Sequence, residues 1–144
     1  MAKGRETKSV LVIEDEADIR RFAHRLLDLE GYQVFEAENG NEGLRMVKGA
    51  RGLSLVLLDL RLPGCDGWVI LDEMKHNPKL SAIPVIVFSA SAAEWQRKKA
   101  LGMGAAGYLV KPLDAASLKQ AVAATTHWEE VMSGAVSQNG RYGG

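Results

Sequence analysis

The chain has 144 residues, 47% hydrophobic and 25% charged, the size and composition of one globular domain with its own core. Eighteen basic residues balance eighteen acidic ones, so the basic excess from which direct nucleic-acid binding draws its affinity is absent. No apolar run approaches the roughly 18 residues of a membrane span, and the single cysteine, Cys65, excludes an intramolecular disulfide and any multi-cysteine metal site.

The amino end, MAKGRETKS, lacks the apolar core of a signal peptide, which points to a soluble, cytoplasmic chain whose residues 1–7 are flexible. Short runs rich in Val, Ile and Leu follow at Ser9–Ile13, Gln33–Ala37, Leu53–Leu58, Pro84–Ser89 and Gly107–Val110. Most read apolar throughout, as strands covered on both faces do. Helical spacing separates them. Ile19, Phe22, Ala23, Leu26 and Leu27 form one apolar face, and Gly31 marks its end. Further helices are predicted from Asn41 to Lys48, from Trp68 to His76 ahead of Pro78, and from Ala92 to Leu101. The fifth is capped by Asp114 and buries Leu118, Ala121, Val122 and Thr125. Residues 8–132 make the domain, and the polar, Gly-rich 133–144 (SGAVSQNGRYGG) reads as a disordered tail.

Five strands alternating with five helices predict an α/β fold, a parallel sheet wrapped on both faces. Ligands of such sheets sit at the carboxyl ends of the strands. Those ends carry Glu14, Asp15 and Glu16, then Asp59, Ser89 and Lys111-Pro112. Two like charges about 4 Å apart repel by roughly 4 kcal/mol at an effective dielectric near 20, so gathered carboxylates need a counter-charge. An all-oxygen donor set favours Mg2+ or Mn2+. Glu14, Asp15 and Asp59 are the candidate ligands, and the free oxygen of Asp59 is a nucleophile for a phosphoryl group. Lys111 neutralises phosphoryl oxygens and the Ser89 hydroxyl donates to the product. Glu16 reads as a helix cap.

The motifs VLVIEDE, LVLLDLRLPGCDG, VIVFSAS and GAAGYLVKPL occur in this order between Lys8 and Thr126. Together they resemble the receiver domain of two-component response regulators. The resemblance implies a flavodoxin-like, doubly wound sheet of order 2-1-3-4-5. It implies phosphotransfer to Asp59 from a phosphohistidine on a sensor histidine kinase or phosphotransfer protein. It also implies that Glu14 and Asp15 are the acidic pair and that the Arg61 backbone carbonyl completes the Mg2+ site. Ser89 is then the switch hydroxyl, Tyr108 the switch aromatic, and Lys111 the phosphate-sensing lysine, with a cis Lys111-Pro112 bond. The output is a signalling switch and not a metabolic enzyme, acting through the surface of the fourth helix, fifth strand and fifth helix on a partner or a second copy. Departures are mild: Glu14 stands where many receivers have Asp, Ser89 where Thr is common, and Cys65 where many have Met.

Other signals are weaker. Gly102 to Gly107 matches GxGxxG but follows a helix and precedes a strand, the reverse of a dinucleotide site. A haloacid-dehalogenase-like phosphatase would need an acid where Arg61 stands. His24, His76 and His127 are scattered on predicted helices as surface residues. Trp95 is a candidate partner contact, and Gln96 to Lys99 reads as a solvated face. The competing readings are a phosphorylation-independent interaction module and a receiver taken from a larger protein.

Overall fold

The computed structural model describes residues 7–126. His127, the tail and the first six residues lie outside them. Ten elements alternate: β1 (Ser9–Ile13), α1 (Ala17–Leu29), β2 (Gln33–Ala37), α2 (Gly40–Gly49), β3 (Leu53–Asp59), α3 (Gly67–His76), β4 (Val85–Ser89), α4 (Glu94–Gly102), β5 (Gly107–Val110) and α5 (Ala115–Thr126). The strands form one parallel sheet in the order β2-β1-β3-β4-β5, the flavodoxin-like order expected.

Alternation along each strand distributes the apolar side chains between two cores. Leu11, Ile13, Val56, Leu58, Val85 and Val87 pack with Val47 of α2, Ile70, Leu71 and Met74 of α3 and Ala100 of α4. Val10, Val12, Leu55, Leu57, Ile86 and Phe88 face Ala23 and Leu27 of α1 and Leu118 and Val122 of α5. Both faces of β1, β3 and β4 are therefore dry, and their sequences carry no polar alternation. The outer strand β2 behaves differently: Gln33 and Phe35 are exposed while Ala37 is buried.

Several helix positions differ from the sequence expectation. The buried stripe of α1 is Arg20, Ala23 and Leu27, and Phe22 is 39% exposed. In α5 the buried residues are Leu118, Val122 and Thr126, a strict i+4 row that bypasses Thr125. Helix α4 starts at Glu94 and not at Ala92, because residues 90–93 are held in a hydrogen-bonded loop. Asn39 caps α2 by accepting the Glu42 N–H at 2.8 Å. Asp114 accepts the Ala116 N–H at 3.2 Å, as a cap for α5 should. The 102–107 glycine run is the end of α4, a turn with Gly104 at φ +109°, and the start of β5.

Candidate functional site

The chain reverses direction across the sheet between β1 and β3, so their carboxyl ends open onto one crevice. Glu14 and Asp15 follow β1 and Asp59 ends β3. One carboxylate oxygen from each of the three lies within 4.8 Å of the others, with Glu14 and Asp59 buried and Asp15 exposed. Lys111, directly after β5, reaches back across β4 into this group. Its Nζ stands 2.9 Å from Glu14 Oε1, donates to Asp59 Oδ2 at 3.1 Å and lies 3.6 Å from Glu16 Oε1. Glu16 is at the N-cap position of α1, but its side chain makes no capping bond. It belongs to the charge cluster instead.

Backbone groups fix the carboxylates. Asp59 Oδ1 accepts the Arg61 N–H at 3.1 Å, and Glu14 Oε2 accepts the Glu16 N–H at 2.9 Å. Glu14 Oε1 is buried, and its one close polar neighbour is the Lys111 ammonium, an ion pair at 2.9 Å that makes no hydrogen bond. Burial pushes the Glu14 carboxyl up to about 7, the Asp59 charge adds to this, and the Glu16 N–H and Lys111 offset it only in part. Burial pulls the Lys111 ammonium down, but its pairing with the Glu14 and Asp59 carboxylates outweighs that and holds it above its ordinary value. An orphaned buried oxygen among three convergent carboxylates fits a hard divalent cation.

The acidic loop has a support that sequence reasoning missed. Arg20 is 6% exposed, and its Nη1 donates to the Glu14 carbonyl oxygen at 2.9 Å and to that of Asp15 at 3.5 Å. Its Nε donates to Glu36 Oε1 at 2.9 Å, and His24 Nδ1 pairs with the other oxygen of Glu36. Burial alone would raise the Glu36 carboxyl, but Arg20 and His24 together hold it below the usual range. The signal was available: Arg20, Ala23 and Leu27 share the i, i+3, i+7 stripe.

Two glycines allow close backbone crossings. A Cβ on Gly67 would come 2.3 Å from the Asp59 carbonyl oxygen, and one on Gly40 would come 1.6 Å from that of Cys65. Bare backbone is required at both crossings. Ser89, 5% exposed, ends β4 beside β3, where Asp59 pairs in register with Phe88. Tyr108 is half-buried on β5. The expected Lys111-Pro112 bond is cis. Trp95 is 65% exposed on α4.

A family model described as the response regulator receiver domain matches residues 10–123. The chain belongs to this family. Receiver domains are the signalling switches of two-component systems, and this one carries their motifs on the strand ends where the fold gathers them. It is 39% identical over 120 residues to a probable transcriptional regulatory protein of Picosynechococcus, covering 79% of this chain and 46% of that protein. It is 40% identical over 111 residues to the KDP operon transcriptional regulatory protein KdpE of Escherichia coli, covering 77% and 48%. The receiver thus spans about half the length of these curated relatives. Among solved structures, a receiver domain protein of Clostridium thermocellum matches with a TM-score of 0.77 at 28% identity, covering 87% of this chain and 98% of that one. A CheY-like receiver of Methanospirillum hungatei shares the fold, with a TM-score of 0.79 at 24% identity over 87% of this chain and 98% of that one. Among the described residues no helix is long and apolar enough to cross a membrane.

Proposed function

We propose that this receiver accepts a phosphoryl group on Asp59 from a phosphohistidine of a sensor histidine kinase or phosphotransfer protein. The observation that carries the reading is the clamping of one carboxylate by two donors, Lys111 Nζ on Oδ2 and the Arg61 N–H on Oδ1. A carboxylate so oriented presents a lone pair to an incoming phosphorus in a fixed direction. The O–P bond to Asp59 forms as the N–P bond of the donor breaks, and the departing imidazole keeps the electron pair. Glu14, Asp15, Asp59 and the Arg61 carbonyl would hold Mg2+ or Mn2+. When bound, the ion supplies positive charge to the phosphoryl oxygens. Lys111 pairs with a phosphoryl oxygen, and the Ser89 hydroxyl donates to another.

Capture of Ser89 by the phosphoryl group draws it towards Asp59, and Tyr108 turns into the space released. The face formed by α4, β5 and α5 changes shape for an output partner or a second copy of the chain. Exposed Trp95 and Val110 on this face suit such a contact.

Intact mass after incubation with Mg2+ and acetyl phosphate tests the chemistry. The expected result is one added phosphoryl group, absent without Mg2+ and absent in Asp59→Asn. An adduct that persists in Asp59→Asn, or a wild-type protein that takes up neither acetyl phosphate's phosphoryl group nor beryllofluoride, overturns the reading.

A further inference from the structure

The backbone of Glu14 is tied to β2 on both sides. Its N–H donates to the Ala37 carbonyl oxygen, at the end of that strand, at 3.1 Å. Its carbonyl oxygen accepts from Arg20 Nη1 at 2.9 Å, and the Asp15 carbonyl oxygen lies 3.5 Å from the same nitrogen. Arg20 is in turn held by Glu36 of β2, whose Oε1 accepts from Nε at 2.9 Å, while His24 Nδ1 pairs with Oε2. The Arg20 N–H donates to the Glu16 carbonyl oxygen at 3.0 Å, which joins the start of α1 to the same loop. A guanidinium is a fixed fork of donors with no acceptor. Two hard oxygen donors next to the carboxylate cluster are therefore directed at Arg20.

We propose that Arg20 is a specificity-determining residue of the cation site: by engaging the Glu14 and Asp15 carbonyl oxygens it favours Mg2+ over the larger Ca2+. The inference rests on the cation site given under Proposed function. Mg2+ demands near-ideal octahedral geometry at about 2.1 Å and keeps several waters, so a few rigidly placed protein oxygens suit it. Ca2+ takes roughly 6 to 8 oxygens and tolerates irregular arrangements. A loop free to turn its carbonyls towards the cluster would supply the extra oxygens Ca2+ uses and unsettle the fixed placement Mg2+ requires. Arg20 withholds both carbonyls and fixes the loop that carries Glu14 and Asp15. Glu36 has a different part. It neutralises the buried guanidinium, whose charge would otherwise oppose either cation alike.

Calorimetric titration of the full chain with Mg2+ and with Ca2+ gives the ratio of the two affinities. The ions carry equal charge, so a purely electrostatic change shifts both together and leaves the ratio alone. Wild type should prefer Mg2+. Arg20→Met should lower that preference about tenfold, through weaker Mg2+ binding with Ca2+ binding held or improved. Arg20→Lys keeps the charge but not the fork that serves Glu36 and the Glu14 carbonyl at once. It should lower the preference in the same direction, and it carries the test if the methionine variant does not fold. Glu36→Gln should weaken both ions in parallel, with the ratio within about twofold of wild type. A preference unchanged in the folded Arg20 variants, or lost equally in Glu36→Gln, overturns the proposal, as does a wild type without a preference for Mg2+. A wild type that binds neither ion sinks the cation-site reading, and this inference with it.

Discussion

Lys111 Nζ lies 2.9 Å from Glu14 Oε1, yet that wholly buried oxygen receives no hydrogen bond. The ammonium is shared with Asp59 and aligned on it, so Glu14 is the underserved member of the cluster.

The first expectation concerns metal-free stability. Burial holds Glu14 at about 7 against an ordinary value of 4.5. Between those values the folded protein keeps a proton that the unfolded chain has released, so stability contributed at this position falls as pH rises through the window. Glu14→Gln removes the titration. In urea unfolding with EDTA, the variant should gain on wild type progressively from about pH 5 to about pH 8. A constant difference across that range would falsify the assignment.

Lys111→Met should separate phosphotransfer from metal binding. Losing the cation that meets the phosphoryl oxygens should slow formation of the Asp59 adduct about 100-fold. Mg2+ should bind at least as tightly as before, because a competing positive charge has left the carboxylates. Adduct kinetics by mass and Mg2+ titration by calorimetry measure the two effects independently. Parallel losses in both would show that Lys111 only maintains the shape of the pocket.

Glycine substitutions should divide sharply by location. Gly67→Ala drives a Cβ to 2.3 Å from the Asp59 carbonyl oxygen, and backbone cannot yield as a flexible side chain can. A cost of about 3 kcal/mol and slower phosphorylation are expected. Gly49→Ala meets nothing within 4 Å at the end of α2 and should raise stability by up to about 0.5 kcal/mol. Denaturant midpoints give both signs, and a harmless Gly67→Ala would contradict the close crossing.

Arg20→Met should loosen the acidic loop. It removes the donors to the Glu14 and Asp15 carbonyls and leaves Glu36 without its main partner. The expected cost is about 2 kcal/mol at neutral pH, with weaker Mg2+ binding. Glu36 is held below its ordinary value of 4.5, so the stability it contributes is fully present above that value and disappears as pH falls through the lowered one. The gap between wild type and Arg20→Met should therefore narrow under acid. A gap that widens would show that Glu36 is not its source.

The parts of this receiver legible in the sequence are those that periodicity and strand ends encode. The boundaries of β1, β2 and β5 follow their apolar runs, and Glu14, Asp15, Asp59 and Lys111 meet where a parallel sheet must bring them. Arg20 escaped notice because an arginine on an apolar stripe reads as an interruption, whereas here it is neutralised by Glu36 and two carbonyls. Gln96 sits in a polar run and looked solvated, although Ala100, four residues on, is buried on the same side of α4. Gly40 and Gly67 gave no warning, since a backbone crossing depends on a distant segment that one glycine does not reveal.

Lys111 arrives just after the last strand, 52 residues after the Asp59 it contacts. A nascent chain that has made only β1 to β4 already carries Glu14, Asp15 and the Asp59 carboxylate, but not the cation that clamps it. Such long-range closure carries the loop entropy of the intervening segments. On the proposed function, competence to receive a phosphoryl group would be tied to completion of the sheet. Truncated, partly synthesised or locally unravelled copies should then be mute, and the signal would be carried only by molecules that have finished folding.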